Sequence, residues 1–452
     1  MAIRAATLTE APTEQGSAPF VPSGSYQGDL NDFDYVEEEW FAEGEVDGHP
    51  YRTTVFVRRP RDPARFSGTV VVEPLHAASA APIWIYTSSY LMRSGHGWAC
   101  ICSQKTALED HVKPSDTERY SSLSIWSDAP PLESSGLSPA GRPRDFAAMQ
   151  ARMQRMAQVN GASTPILAQV GAALAEGAGP FAGFAVDDVL LAGHSQTGGV
   201  ATQYILNGHD ALRLADGAPV YHGFFPSGSP SVAFGPYDVP IVQVLSDGDI
   251  SNPHRPGREG RRYRRPDSDE PGDRYRLYEL AGVAHMGTRY PPYSNNAMWQ
   301  TDPLGTAGNV PTETRMNSLP HNELFSMSLH RLVQWVAKGI TPPRAERLEV
   351  GADEFLVKDE YGNTLGGVRC AQIDVPRLQY FSNPGVAEDG TPAFGVVGVE
   401  KPLSAESLER RYQNDGDYVE QFNRRLDELI ALGWFLEDDA PAMRAAAEKG
   451  EA

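Results

Sequence analysis

Four side chains in this sequence could together activate a hydroxyl: Ser195, Asp247, Asp249 and His285, in that chain order. A serine hydroxyl is a poor nucleophile until a base takes its proton, and the base needs a carboxylate to orient it and balance its charge. Ser195 lies in Leu190-Leu-Ala-Gly193-His194-Ser195-Gln196-Thr197-Gly198-Gly199. An apolar strand pattern ends there, and a helical pattern resumes through Ala201, Tyr204 and Ile205. A serine on so sharp a strand-to-helix turn projects its Oγ from the carboxyl edge of a sheet. The small residues Gly193 and Gly199, with Thr197, let helix and strand approach. Glycine usually stands two residues after such a serine; here Thr197 does, with glycines at 198 and 199. Downstream, Pro240-Ile-Val-Gln-Val-Leu245 runs into Ser246-Asp247-Gly248-Asp249, and Arg276-Leu-Tyr-Glu-Leu280 runs into Ala281-Gly-Val-Ala-His285. Asp249, deeper in its turn, is the preferred acid and Asp247 the reserve. His194, beside the nucleophile, is assigned a packing role.

A serine attacking a carbonyl also needs donors for the oxyanion. One is the N–H of Gln196 at the helix start, where free N–H groups and the helix dipole favour negative charge. A second comes from the loop after an earlier strand. Gly68-Thr-Val-Val-Val-Glu73 is that strand, followed by Pro74-Leu75-His76-Ala77. Proline has no N–H, so Leu75 or His76 is the expected donor.

These groups must hang on a sheet. Gly68–Glu73, Trp98–Cys102, Val189–Ala192, Ile241–Leu245 and Arg276–Leu280 are short, nearly unbroken apolar runs, the mark of strands buried on both faces. Helical patterns separate them, which gives an α/β class with a doubly wound, mostly parallel sheet. Phe146, Met149, Met153 and Met156 recur at helical spacing and read as a core-facing stripe. Asn322 can cap a helix that carries Leu329, Leu332, Val333 and Val336 and stops at Gly339. The expected division is an N-terminal extension over 1–30, a core over 31–344 and a C-terminal extension over 345–452. Two irregular stretches, about 105–145 and 286–320, are expected to form lids, and their Trp126, Tyr290, Tyr293 and Trp299 to contact substrate. The segment His254–Asp273, with its run Arg261-Arg-Tyr-Arg-Arg265, reads as a solvated loop of self-compensating charges.

Lys and Arg number 39 against 59 Asp and Glu, a formal charge of −20 over 452 residues. Such a surface repels nucleic acid and anionic membranes, so neither is an expected partner. The cysteines, Cys100, Cys102 and Cys370, are too few and too badly placed for a disulfide framework. There is no Walker-type loop, dinucleotide fingerprint, His-Glu-x-x-His or Cys-x-x-Cys, so no metal or cofactor is expected. The N-terminus lacks a secretory apolar core and no run reaches the ~18 apolar residues of a membrane span. The expected location is cytoplasmic.

The chain resembles the α/β-hydrolase superfamily, and more narrowly the bacterial "alpha/beta hydrolase domain" family of about 450-residue proteins. The resemblance rests on Tyr35-Val-Glu-Glu-Glu39, Gly68–Glu73, Gly95-His-Gly-Trp98, Gly193-His-Ser-Gln196, Tyr278–His285, Asp359-Glu-Tyr-Gly-Asn363 and Gly366-Gly-Val-Arg369. It implies the α/β-hydrolase fold and a serine-hydrolase triad on Ser195, His285 and Asp249 or Asp247. Where the family often has Trp and then Asn after the Glu of its early strand, this chain has Pro74 and His76. The expected function is cleavage of a small carboxylic ester or lactone, apolar or aromatic, through an acyl-enzyme on Ser195. Acyl transfer by the same triad and non-catalytic ligand binding are the alternatives. Assembly into a homo-oligomer is left open.

Overall fold

The computed structural model of the 452-residue chain describes residues 2–12, 17–22, 30–130, 132, 146–230, 232–250, 263–287, 315–383 and 398–451. Its centre is a ten-stranded sheet. The strands are β1 (Thr7–Glu10), β2 (Tyr35–Val46), β3 (His49–Pro60), β4 (Thr69–Pro74), β5 (Gly97–Ile101), β6 (Asp188–His194), β7 (Gly223–Ser227), β8 (Ile241–Ser246), β9 (Ser268–Glu270) and β10 (Asp273–Leu280). They lie in the order β1-β2-β3-β5-β4-β6-β7-β8-β10-β9. The run from β5 to β10 is parallel throughout. β1, β2 and β3 extend it antiparallel at one edge and β9 at the other. Every residue of β4, β5, β7 and β8 is buried, which is why their sequences are unbroken apolar runs rather than alternating ones.

Helices cover both faces. From β4 the chain steps through α1 (Pro82–Arg93) to β5 on one side, then returns through α2 (Phe146–Val159) and α3 (Ser163–Ala175) to β6 on the other. Right-handed crossovers in opposite directions put α1 and α3 on opposite faces. α4 (Gln196–Gln203) joins α3, and α5 (His321–Lys338) packs on α1. The reversal of winding at β4 leaves a crevice at the carboxyl ends of β4 and β6, where open α/β sheets gather their sites.

β11 (Arg315–Met316), just before α5, joins β12 (Leu378–Phe381) and β13 (Val399–Pro402), beyond it, in a small antiparallel sheet. α6 (Asp415–Leu432) and α7 (Ala440–Glu448) enclose a second apolar cluster with Tyr418, Phe422, Leu426 and Met443. The tail is tied to the core by Val368, which bonds Glu279 and Ala281 of the β10 end, and by an Arg93–Asp439 ion pair at 2.6 Å.

Several expectations need correction. Of the methionine stripe, the described side chains do not face the core: on α2, Met153 is exposed and Met156 only half-buried, while the side chains of Phe146 and Met149 lie outside the described ones. Helical spacing marks a shared face but not what the face meets. The first part of the 105–145 segment is regular, since Lys105–Ala107, Leu108–Val112 and Lys113–Ser115 follow one another as α, π and α turns. α5 begins at His321 with Pro320 rather than Asn322 at its cap position. The described end of the arginine-rich segment is not a solvated loop. Tyr263 is buried, Arg264 pairs with the buried Glu279 and Arg265 with Asp273.

Candidate active site

Ser195 stands between the end of β6 and the start of α4 with φ 59° and ψ −121°, a conformation that non-glycine residues avoid and that strained turns at functional sites retain. Its N–H is held by the Ser227 carbonyl at 3.0 Å, and its own carbonyl accepts from Gly199 N–H. The close approach sits at Gly193 and Gly198 rather than two residues after the serine. A Cβ on Gly193 would lie 2.2 Å from the Thr197 carbonyl oxygen, and one on Gly198 2.1 Å from that of Ser227. Thr197 is tolerated because its Oγ1 accepts from His194 N–H and donates to the His194 carbonyl, both at 2.9 Å. The shift of glycine by one position thus has a geometric cause.

His285 Nε2 lies 2.8 Å from Ser195 Oγ, and its Nδ1 lies 2.5 Å from Asp249 Oδ1. A carboxylate only accepts, so Nδ1 carries the proton and Nε2 is left to accept from the serine hydroxyl. The other oxygen of Asp249 accepts from the Ser246 N–H at 2.7 Å and hydroxyl at 2.9 Å. Burial pushes the Asp249 carboxyl up, but the electrostatic pull of the adjacent His285 ring, its hydrogen bond and that from the Ser246 N–H outweigh this and hold it below the ordinary carboxylate value. Ser195, Asp249 and His285 each follow directly on a parallel strand, β6, β8 and β10 respectively.

Asp247 is fully buried and points elsewhere. It accepts from the Gly282 N–H at 3.1 Å, the Ser382 hydroxyl at 2.5 Å and the Thr364 hydroxyl, with Lys358 Nζ 3.8 Å away. His194 does more than pack. Its Nε2 donates to the His285 carbonyl at 3.0 Å, its ring lies 4.7 Å from that of His285, and burial drives its pKa well down, so it is neutral.

The β4 loop departs from expectation. Leu75 N–H is bonded to the Ile101 carbonyl at 2.8 Å and His76 N–H to the Ala80 carbonyl at 3.0 Å. Both expected oxyanion donors are therefore committed to backbone acceptors. The next N–H, of Ala77, donates to the side-chain oxygen of Gln196 at 3.2 Å. His76 uses its ring instead: Nδ1 accepts from Ala78 N–H at 2.9 Å. Burial, then electrostatic coupling to the His285 and His111 rings, depress its pKa to about 4. The loop is anchored from below by Glu73, which is fully buried and caps α1 through the N–H groups of Ile83 and Trp84, and accepts from Trp98 Nε1 at 2.7 Å.

Trp126 stacks on His49 at 3.7 Å, on the β2–β3 hairpin and three strands from β6, so its described contact is not with Ser195. Tyr290, Tyr293 and Trp299 lie outside the described residues. Among the described residues no group of three His, Cys, Asp or Glu side chains could hold a metal ion, and no helix is long and apolar enough to cross a membrane. Sequence reasoning missed Gln104, Glu73 and Ala77 as parts of this site. The signal for Gln104 was its place just after β5, at the same carboxyl edge as Ser195.

A buried parallel sheet with a strained serine at the strand-to-helix turn, followed in order by an acid and a histidine, defines the α/β-hydrolase class. The chain belongs to the alpha/beta hydrolase domain family, whose model matches residues 9–445. Similar solved structures include a Klebsiella pneumoniae protein assigned as a dienelactone hydrolase, at 10% identity over 67% of this chain and 99% of that one, TM-score 0.31. Est1E from Butyrivibrio proteoclasticus is 10% identical over 58% of this chain and 94% of its own, TM-score 0.29. The poly(3-hydroxybutyrate) depolymerase LpqC from Bordetella parapertussis is 11% identical over 57% and 87%, TM-score 0.27. At these identities none of them speaks to substrate. No curated protein matches the chain.

Proposed function

We propose that this protein is a serine hydrolase that cleaves a carboxylic ester or lactone through an acyl-enzyme on Ser195. The observation that carries this reading is the chain Ser195 Oγ, His285 Nε2, His285 Nδ1, Asp249 Oδ1, with links of 2.8 and 2.5 Å, at the rim where β6, β8 and β10 end. Ser195 Oγ attacks the carbonyl carbon as its proton passes to His285 Nε2, and the carbonyl π pair moves onto oxygen. Asp249 stabilises the imidazolium without taking its proton. The pair returns, the C–O bond to the alcohol breaks, and His285 gives its proton to the leaving oxygen. Water then enters, loses a proton to His285 and releases the acid, restoring the serine. The N–H of Gln196, at the first position of α4 where backbone donors have no intrahelical acceptor, faces the developing charge.

A fluorophosphonate probe should add its mass to the peptide containing Ser195, and Ser195→Ala should abolish both labelling and aryl-ester hydrolysis. A folded native protein that neither labels nor turns over a panel of aryl, alkyl and lactone substrates would defeat the reading. Appearance of the ester of an added alcohol in place of the free acid would redirect it to acyl transfer.

A further inference from the structure

We propose that Gln104 and the side chain of Gln196 are positioning residues for the oxyanion site, and that the Ala77 N–H is its second donor. The inference rests on the serine-hydrolase reading and goes beyond it, to the residues that fix where the oxyanion sits.

The two glutamine amides form a cyclic pair. Gln104 Nε2 donates to Gln196 Oε1 at 3.1 Å, and Gln196 Nε2 donates back to Gln104 Oε1 at 2.5 Å. The second Nε2 proton of Gln104 goes to the Leu75 carbonyl at 2.8 Å, and its oxygen also accepts from Asn160 Nδ2 at 3.1 Å. All four hydrogen-bonding positions of the Gln104 amide are thus filled. Its orientation is set from outside. Thr106 N–H donates to Asn160 Oδ1 at 3.0 Å, so Asn160 must present its NH2 to Gln104. Gln104 itself is fully buried. One side chain therefore ties the β4 loop, through Leu75, to the residue after the nucleophile.

Within that loop, Ala77 differs from its neighbours. The N–H groups of Leu75 and His76 are bonded to backbone carbonyls, and that of Ala78 to an imidazole. The acceptor of Ala77 N–H is Gln196 Oε1 at 3.2 Å, a side-chain oxygen that has a second donor in Gln104. His111 Nε2 donates to the Ala77 carbonyl at 3.0 Å and fixes the tilt of this peptide unit. An arriving oxyanion can take the Ala77 N–H while Gln196 keeps both bonds to Gln104. Gln196 would then serve twice, with its backbone N–H as donor and its side chain as the spacer to the opposite wall.

The test uses Gln104→Met and Gln196→Met, which keep length but lose the amide pair, in the full-length chain. The readouts are kcat and KM on an aryl ester and the inhibition constant of an arylboronic acid, whose tetrahedral adduct on serine places an oxygen in the oxyanion site. A displaced donor should lower kcat by about 10- to 100-fold with KM little changed. Boronate affinity should fall by the same factor in both single variants, and the double variant should be no worse than either one. Should Gln104→Met fail to fold, the half-buried Gln196→Met carries the test. Unchanged kcat in folded variants, or a loss of kcat without a matching loss of boronate affinity, overturns the inference and leaves the hydrolase reading standing. A native protein that the fluorophosphonate does not label removes both.

Discussion

Asp247 and Asp249 share one short helical turn, yet their carboxylates serve different parts of the chain: Asp249 holds His285, whereas Asp247 holds Gly282, Thr364 and Ser382. Gly282 opens the turn that ends at His285, so both carboxylates act on the histidine's position, one at the ring and one at its backbone.

That division predicts opposite phenotypes. Asp249→Asn should lower kcat by about 10³- to 10⁴-fold with the fold intact, because the amide favours the wrong imidazole tautomer. Asp247→Asn puts an NH2 against buried donors and should cost about 2–4 kcal/mol of stability. Circular dichroism in urea, beside ester turnover, separates them. A silent Asp249→Asn together with an inactive, fully stable Asp247→Asn would exchange the two roles.

At the elbow, Gly193→Ala and Gly198→Ala drive a Cβ to 2.2 and 2.1 Å from backbone oxygens that have nowhere to move. Each should destabilise the protein by about 2 kcal/mol or more. Gly199→Ala meets nothing nearer than Ser229 Oγ at 3.7 Å and should be neutral or stabilise α4 by up to about 1 kcal/mol. Thermal melts of the three variants check the ranking.

Stability should fall in mild acid. Burial holds His194 well below its ordinary pKa and His96 and His321 at about 3, so the native state keeps them neutral. The unfolded chain protonates them near pH 6.5. Below that pH the unfolded state binds more protons, and stability drops by about 1.4 kcal/mol per pH unit for each histidine until the native pKa is reached. Urea titrations between pH 7 and 5 should show this slope, and His96→Gln should remove one histidine's share. A flat profile would contradict the neutral assignment.

Glu73→Gln should loosen the loop that carries Ala77. Burial pushes the Glu73 carboxyl up to about 7 against the pull of three N–H donors and Arg58. The guanidinium of Arg58 lies 4.5 and 5.0 Å from the rings of Trp84 and Trp98. With glutamine, one of the three donors faces an NH2, at a cost of about 1–3 kcal/mol. Tryptophan emission and the urea midpoint should both shift; an unchanged midpoint would mean that the cap is dispensable.

The parallel strands were legible because burial on both faces writes itself as continuous apolar sequence, as in Val70–Val72 and Leu190–Ala192. The order of Ser195, the aspartates and His285 was legible because each follows such a strand. Asp249 was preferred to Asp247 on its depth in the turn alone; the partners that seat Asp247 elsewhere, Thr364 and Ser382, were not legible, being more than a hundred residues away. Nor was the donor in the β4 loop. Which N–H is spoken for is settled by Ile101 and Ala80 carbonyls, and backbone acceptors leave no mark on residue type. Met153 misled because a periodic stripe states a direction without stating a neighbour.

The seat of Asp247 also orders events in time. Ser195, Asp249 and His285 are all translated by residue 285, but the hydroxyls that hold Asp247, and with it the turns of residues 247–250 and 281–285, arrive only with positions 364 and 382. A nascent chain would therefore carry Ser195, Asp249 and His285 long before it could hold their turns in register, and that alignment would wait for positions 364 and 382 to leave the ribosome.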